Sequence, residues 1–217
     1  MNSKTTKGQT LLEVLIAISI LVVVLVTTIS LIVASIKAGR ESTNKLIGTS
    51  LARETVELVR NIRDSNWAAT ATSYWDGGLV NATDYPNNLQ DVTFTPVISL
   101  SGSAVPLYLD PTPDAFTDEA HSVVKQSGSE YVQGLITTGT RTQFFRMAYL
   151  NPICQDADGN EKISNQTEQA VCGQGGTSVS AYPNKVGIRV IVEVRWPAPD
   201  SNKHVTIEDH LYNWQVL

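Results

Sequence analysis

The chain has 217 residues, with 16 basic against 21 acidic side chains, a net charge of −5 and a hydrophobic content of 42%. An acidic balance disfavours a nucleic-acid binder, and the length allows one modest globular domain once the first quarter is set aside as a single helix. The two cysteines, Cys154 and Cys172, match neither a CxxC redox motif nor a zinc ligand set; two separate buried thiols would suit a cytosolic chain, but the membrane segment predicted at residues 11–36 implies export, so a Cys154–Cys172 disulfide is expected.

Residues 1–8 are short and basic, with Lys4 and Lys7 and no acidic side chain. Residues 11–36 then read LLEVLIAISILVVVLVTTISLIVASI, and residues 14–36 carry no charge at all. As a helix this stretch is long enough to cross the ~30 Å hydrocarbon layer of a bilayer, which predicts a transmembrane segment. A secretory signal peptide would have an apolar region of only ~7 to 15 residues followed by a small-residue cleavage site, and neither condition is met. Lys4 and Lys7 on one side face Lys37, Arg40 and Lys45 on the other, partly offset by Glu41, so charge alone leaves the orientation open. Glu13 sits at the start of the apolar run, where a carboxylate either finds a partner or reaches back to the interface.

The string Lys7-Gly8-Gln9-Thr10-Leu11-Leu12-Glu13-Val14-Leu15 resembles the prepilin cleavage and methylation motif of type IV pilin-like proteins, most like a minor pilin or pseudopilin. The resemblance implies that a prepilin peptidase on the cytoplasmic face removes the leader after Gly8 and N-methylates Gln9, a position where the family more often has an aromatic residue, commonly Phe. It also implies that Glu13 directs assembly by pairing with the freed ammonium of Gln9 on a neighbouring subunit. Loss of the leader leaves 14 basic against 21 acidic side chains, a net charge of −7.

No proline occurs before Pro86, so nothing breaks the helix between residues 9–36 and an amphipathic half at 37–66. There Ile47, Leu51, Ala52, Val56, Leu58, Val59 and Ile62 recur at three- and four-residue intervals, with Arg53, Glu54, Glu57, Arg60 and Arg63 opposite. Gly39 and Gly48 each weaken a helix by up to ~1 kcal/mol relative to alanine. The stretch LARETVELVRNIRDSNW resembles the corresponding helix end of minor-pilin-like prepilins.

Residues 67–217 shift to Thr, Ser, Gly, Asn and Pro with short apolar runs, which predicts strands and loops. Candidate strands are 92–100, 131–138, 143–150 and, most clearly, 186–196, where only Ile191 breaks the alternation. A hairpin turn at 197–203 leads into a strand over 205–214, while residues 106–118, with three prolines, predict a loop. The expected fold is therefore α+β: a long N-terminal helix packed on an antiparallel sheet, which is also the pilin architecture that the resemblance implies.

Sites of chemistry are sparse. His121, His204 and His210 lack metal spacing, although His204 and His210 could share one strand face. Gly173, Gly175 and Gly176 lack the lysine and helix of a phosphate loop and predict turns. Asp156, Asp158 and Asn160 alternate as calcium ligands do, but Gly159 and Thr167 occupy positions that an EF-hand would fill differently, so a solvated Asx turn is the preferred reading and calcium the alternative. The sequons at Asn81 and Asn165 carry no weight. With no catalytic constellation, the expectation is a non-enzymatic structural subunit with no cofactor except that candidate calcium. Its expected partners are the prepilin peptidase, other pilin subunits, a pilus or secretion assembly platform and the membrane. The expected location is the inner membrane with the globular domain outside the cytoplasm, then a cell-surface filament. The alternatives are a type II secretion pseudopilin and a membrane-tethered adhesin or binding domain.

Overall fold

The computed structural model describes residues 7–68, 75–77, 79, 92–97, 108–110, 116, 122–128, 130–133, 139–164, 172–173, 179–197 and 203–213. The residues of the leader before Lys7, His121, Thr167, Gly175, Gly176, and the sequon residues Asn81 and Asn165 lie outside them. The layout is α+β, a long helix α1 (Lys7–Ala68) followed by strands in antiparallel pairing. The chain forms two compact units, Met1–Asn44 and Lys45–Leu217.

In the second unit the amphipathic part of α1 buries Leu51, Ala52, Val56, Leu58 and Val59, while Arg53 and Glu57 face solvent. The three-and-four spacing thus becomes one apolar stripe against the sheet. Thr55 joins that stripe at no cost in unpaired polarity, because its Oγ1 donates to the Leu51 carbonyl at 3.2 Å. Gly48 lies where a Cβ would stand 3.1 Å from the Trp196 ring and 3.2 Å from Val205, so here the missing side chain admits a large aromatic ring.

The strands are β1 (Val92–Val97), β2 (Tyr108–Asp110), β3 (Val123–Ser127), β4 (Glu130–Val132), β5 (Thr140–Gln155), β6 (Glu161–Ile163), β7 (Asn184–Trp196) and β8 (Lys203–Tyr212). β5 is the centre. β7 takes one of its edges from Phe145 to Gln155, and β3, β1 and β6 succeed one another along the other. β4 and β2 extend β3 and β1, and β8 pairs with β7 over its whole length, from Trp196↔Lys203 to Gly187↔Tyr212.

The expected strands at 92–100, 143–150, 186–196 and 205–214 correspond to β1, β5, β7 and β8, with residues 98–100 and 214 outside the described ones, and β7 with β8 is the expected hairpin. Of the expected 131–138 element, residues 131 and 132 are strand as part of β4, Gln133 is not, and 134–138 lie outside the described residues, while residues 108–110 pair as β2 inside the segment expected to be loop.

Alternation assigns the faces. Ile188, Val190, Val192, Val194 and Trp196 of β7, with Phe144, Ala148 and Leu150 of β5, form one core with the helix stripe. Ile191 breaks the pattern because the opposite face is also apolar in part: Val123, Met147, Ile153 and Ile191 are all buried there. A sheet buried on both faces loses clean alternation.

Candidate functional site

The first unit is helical throughout its described length, and from Leu11 to Arg40 every side chain is exposed. Valine, leucine and isoleucine in such numbers do not favour water contact, so this surface demands another environment. The 23 residues from Val14 to Ile36 span roughly 35 Å at 1.5 Å per residue, enough for a bilayer core. The helix is long and apolar enough to cross a membrane.

Four of the five hydroxyls between Val14 and Ile36 bond carbonyls of their own helix, which suits a low-dielectric environment. Ser19 donates to the Ile16 carbonyl at 2.8 Å, Thr27 to Val24 at 2.9 Å, Thr28 to Val24 at 2.8 Å and Ser30 to Val26 at 2.9 Å. Glu13 differs: it is exposed, and no described residue pairs with its carboxylate. Gly8 and Gln9 lie in the first turns of α1, four residues placing positions 9 and 13 on the same side of the helix.

In the second unit Cys154 and Cys172 form a disulfide with Cα atoms 5.5 Å apart, packed with Val179 and Tyr182 in a small satellite core. Gly173 makes the turn after it at φ +79°, donating its N–H to the Val179 carbonyl at 3.2 Å, and a Cβ there would lie 3.0 Å from Pro183 Cα. That position is closed to other residues.

Asp156, Asp158 and Asn160 form the β5–β6 turn. Asp156 Oδ1 accepts the N–H groups of Asp158 at 2.9 Å and Asn160 at 2.8 Å, and Oδ2 accepts the Asn160 amide at 2.9 Å. These bonds, led by that from the Asn160 side chain, hold the Asp156 carboxyl below the usual range. The arrangement is an Asx turn, with Gly159 at φ +85° completing it. No group of three His, Cys, Asp or Glu side chains suited to a metal occurs among the described residues. His204 and His210 share the exposed face of β8, yet six residues of strand separate them by roughly 20 Å. They cannot hold one ion together.

Two ion pairs were not foreseen from the sequence. Arg146 of β5 is fully buried and reaches the helix, donating Nη1 to the Leu51 carbonyl at 3.0 Å and to Glu54 Oε2 at 2.8 Å, and Nε to Gln133 Oε1 at 2.8 Å. Burial lowers its pKa and the Glu54 carboxylate pulls the other way. Its parity with Phe144 and Ala148 in the strand pattern was the available signal. Lys185 meets Asp76 beneath the Trp75 ring, 5.0 Å from the ring centroid, and nothing local in the sequence links residues so far apart.

Comparisons with protein-family models, with curated proteins and with solved structures find no match to the chain.

Proposed function

We infer that the chain is a structural subunit of a type IV pilus or related filament, most like a minor pilin, which assembles through its apolar helix after leader cleavage. The observation that carries this reading is the juxtaposition of Gly8, Gln9 and Glu13, in that order and spacing, with a helical segment whose apolar side chains are exposed from Leu11 to Ile36. A simple anchor needs the apolar length but has no need of a carboxylate at its start. A filament core needs both: packing area from the helix, and a charge that finds its counter-charge only on a neighbour.

In this reading a prepilin peptidase cleaves after Gly8 and methylates Gln9, and the subunit waits in the inner membrane with its sheet domain outside the cytoplasm. An assembly platform of a pilus, or of a type II secretion system, then moves it into a fibre of other pilin subunits. The role is structural, with no catalysis and no nucleic-acid partner. Mass spectrometry of the N-terminus, on protein recovered from membranes of its own host, tests the reading. A terminus at Gln9 is expected, with one added methyl group. An intact Met1–Gly8 leader on a stable monomer would replace the filament with a tethered adhesin or binding domain.

A further inference from the structure

Lys185 and Asp76 are brought together by a bulge in β7 and by a clamp from α1. A bulge in β7 shifts the register between Ile153↔Gly187 and Cys154↔Lys185, so Val186 is the extra residue and Lys185 is re-aimed. Asp76 is held by its neighbours: Asn66 of α1 donates its amide to the Trp75 carbonyl at 3.2 Å and the Gly77 carbonyl at 2.7 Å, and Leu79 N–H bonds the Asp76 carbonyl at 3.0 Å. The Lys185 Nζ contacts Asp76 Oδ2, with the Lys185 side chain 20% exposed and that of Asp76 10% exposed. Trp75 lies over the nitrogen.

We propose that Lys185 and Asp76 condense into an intramolecular isopeptide bond, a covalent tie between β7 and the turn at residues 75–77. Proton transfer within the pair gives an amine and a carboxylic acid. The Nζ lone pair attacks Asp76 Cγ, the N–C bond forms, and a carboxyl oxygen leaves as water with two of the three ammonium protons. Atoms and charge balance with no other reactant. The step needs a neutral amine, and burial holds the Lys185 pKa down to about 8 against the opposing pull of Asp76. It also needs the amine held beside the carboxyl group, which the Nζ contact to Oδ2, the Asn66 clamp and the bulge supply, and such fixation is worth several powers of ten in rate. The product is neutral where two ions are costly to hold. This inference stands apart from the filament reading, since a tethered binding domain would carry the same bond.

The test is the mass of the full chain in detergent after reduction of the disulfide, with its terminus assigned in the same spectrum. The expected mass is one water short of the sequence, with a branched peptide joining the segments around Asp76 and Lys185 and no tryptic cut after Lys185. Asp76→Ala and Lys185→Ala should each regain the full mass for their own sequence. A parent chain still at full mass after a week at pH 8 overturns the proposal. A second readout does not depend on digestion. In an ion pair the unfolded chain keeps the lysine proton up to about pH 10.5 while the folded one loses it near 8, so stability relative to Lys185→Met would rise across that window. An amide does not titrate, and the difference should stay level. A rise would again leave only the ion pair.

Discussion

Arg146 replaces what could have been an apolar contact with a guanidinium at zero exposure. Removing one partner of a buried charge is costly because the other groups lose their bonds as well: Gln133 donates to the Arg146 and Ser122 carbonyls at 2.6 and 3.1 Å while accepting from Arg146 Nε. Arg146→Ala is expected to destabilise by about 3–5 kcal/mol through lost bonds and a cavity. Glu54→Gln should cost much less, because the Glu54 side chain is 41% exposed and water screens it. Denaturant melts of the two variants check the order, and equal losses would mean that the carboxylate dominates. Glycine gives a second contrast. Gly48→Ala gains up to ~1 kcal/mol of helix propensity, yet its Cβ would meet the buried Trp196 ring, and overpacking of that kind costs about 1–3 kcal/mol. A lower melting temperature is expected for Gly48→Ala and no loss for Gly39→Ala, whose Cβ meets open space.

The helix and the β7–β8 hairpin were legible in the sequence because each expresses one period over many residues: the uncharged run, then the 47–62 stripe, then alternation through Trp196. β5 extends past the expected 143–150 at both ends and runs through Pro152, a residue that interior strands rarely hold. It is tolerated because its carbonyl accepts the Ser164 N–H at 3.2 Å, so its donor-less nitrogen faces the same edge, in the gap where β1 pairing has ended and β6 pairing begins. β3 and β6, of five and three residues, carry too few positions to show a period. The candidate site divides in the same way. Glu13 stands out as a charge ahead of an uncharged run, whereas the Lys185–Asp76 pair spans 109 residues and depends on a bulge that no spacing announces. The disulfide lies between, since pairing two cysteines was expected but the Val179 and Tyr182 packing around them was not. Closing an 18-residue separation stabilises by ~3 kcal/mol in the chain-entropy model. Cys172→Ser should lower stability by about that amount, and denatured, unreduced parent protein should show no free thiol on labelling.

At the scale of the whole molecule, the arrangement of charge along the helix governs what the chain can do. From Val14 to Ile36 there is none, and four of the five hydroxyls within that span bond carbonyls of their own helix, so the segment is suited to hydrocarbon. Glu13 alone is in conflict with it. Near the membrane surface the conflict is small, because an ionised side chain costs up to ~3 kcal/mol at a helix centre and less toward the interface. In the core of a fibre built from such helices the interface is gone, and an unpaired carboxylate becomes expensive. One that faces the Gln9 ammonium of an adjacent subunit instead gains a short-range attraction in a medium of low dielectric. That pairing would also fix the axial register of an incoming subunit, since apolar side chains alone slide past one another at little cost. Under the proposed function, Glu13→Leu is therefore expected to insert into the membrane and to be cleaved after Gly8 as the parent is, yet to enter filaments poorly. Cross-linking to the major subunit measures incorporation, and mass spectrometry of the N-terminus checks processing in the same cells. Glu13→Gln should behave like Glu13→Leu if charge is the active property, and like the parent if only polarity at the interface is needed. Parental incorporation of Glu13→Leu would reduce Glu13 to an interfacial side chain and remove charge pairing from the assembly mechanism.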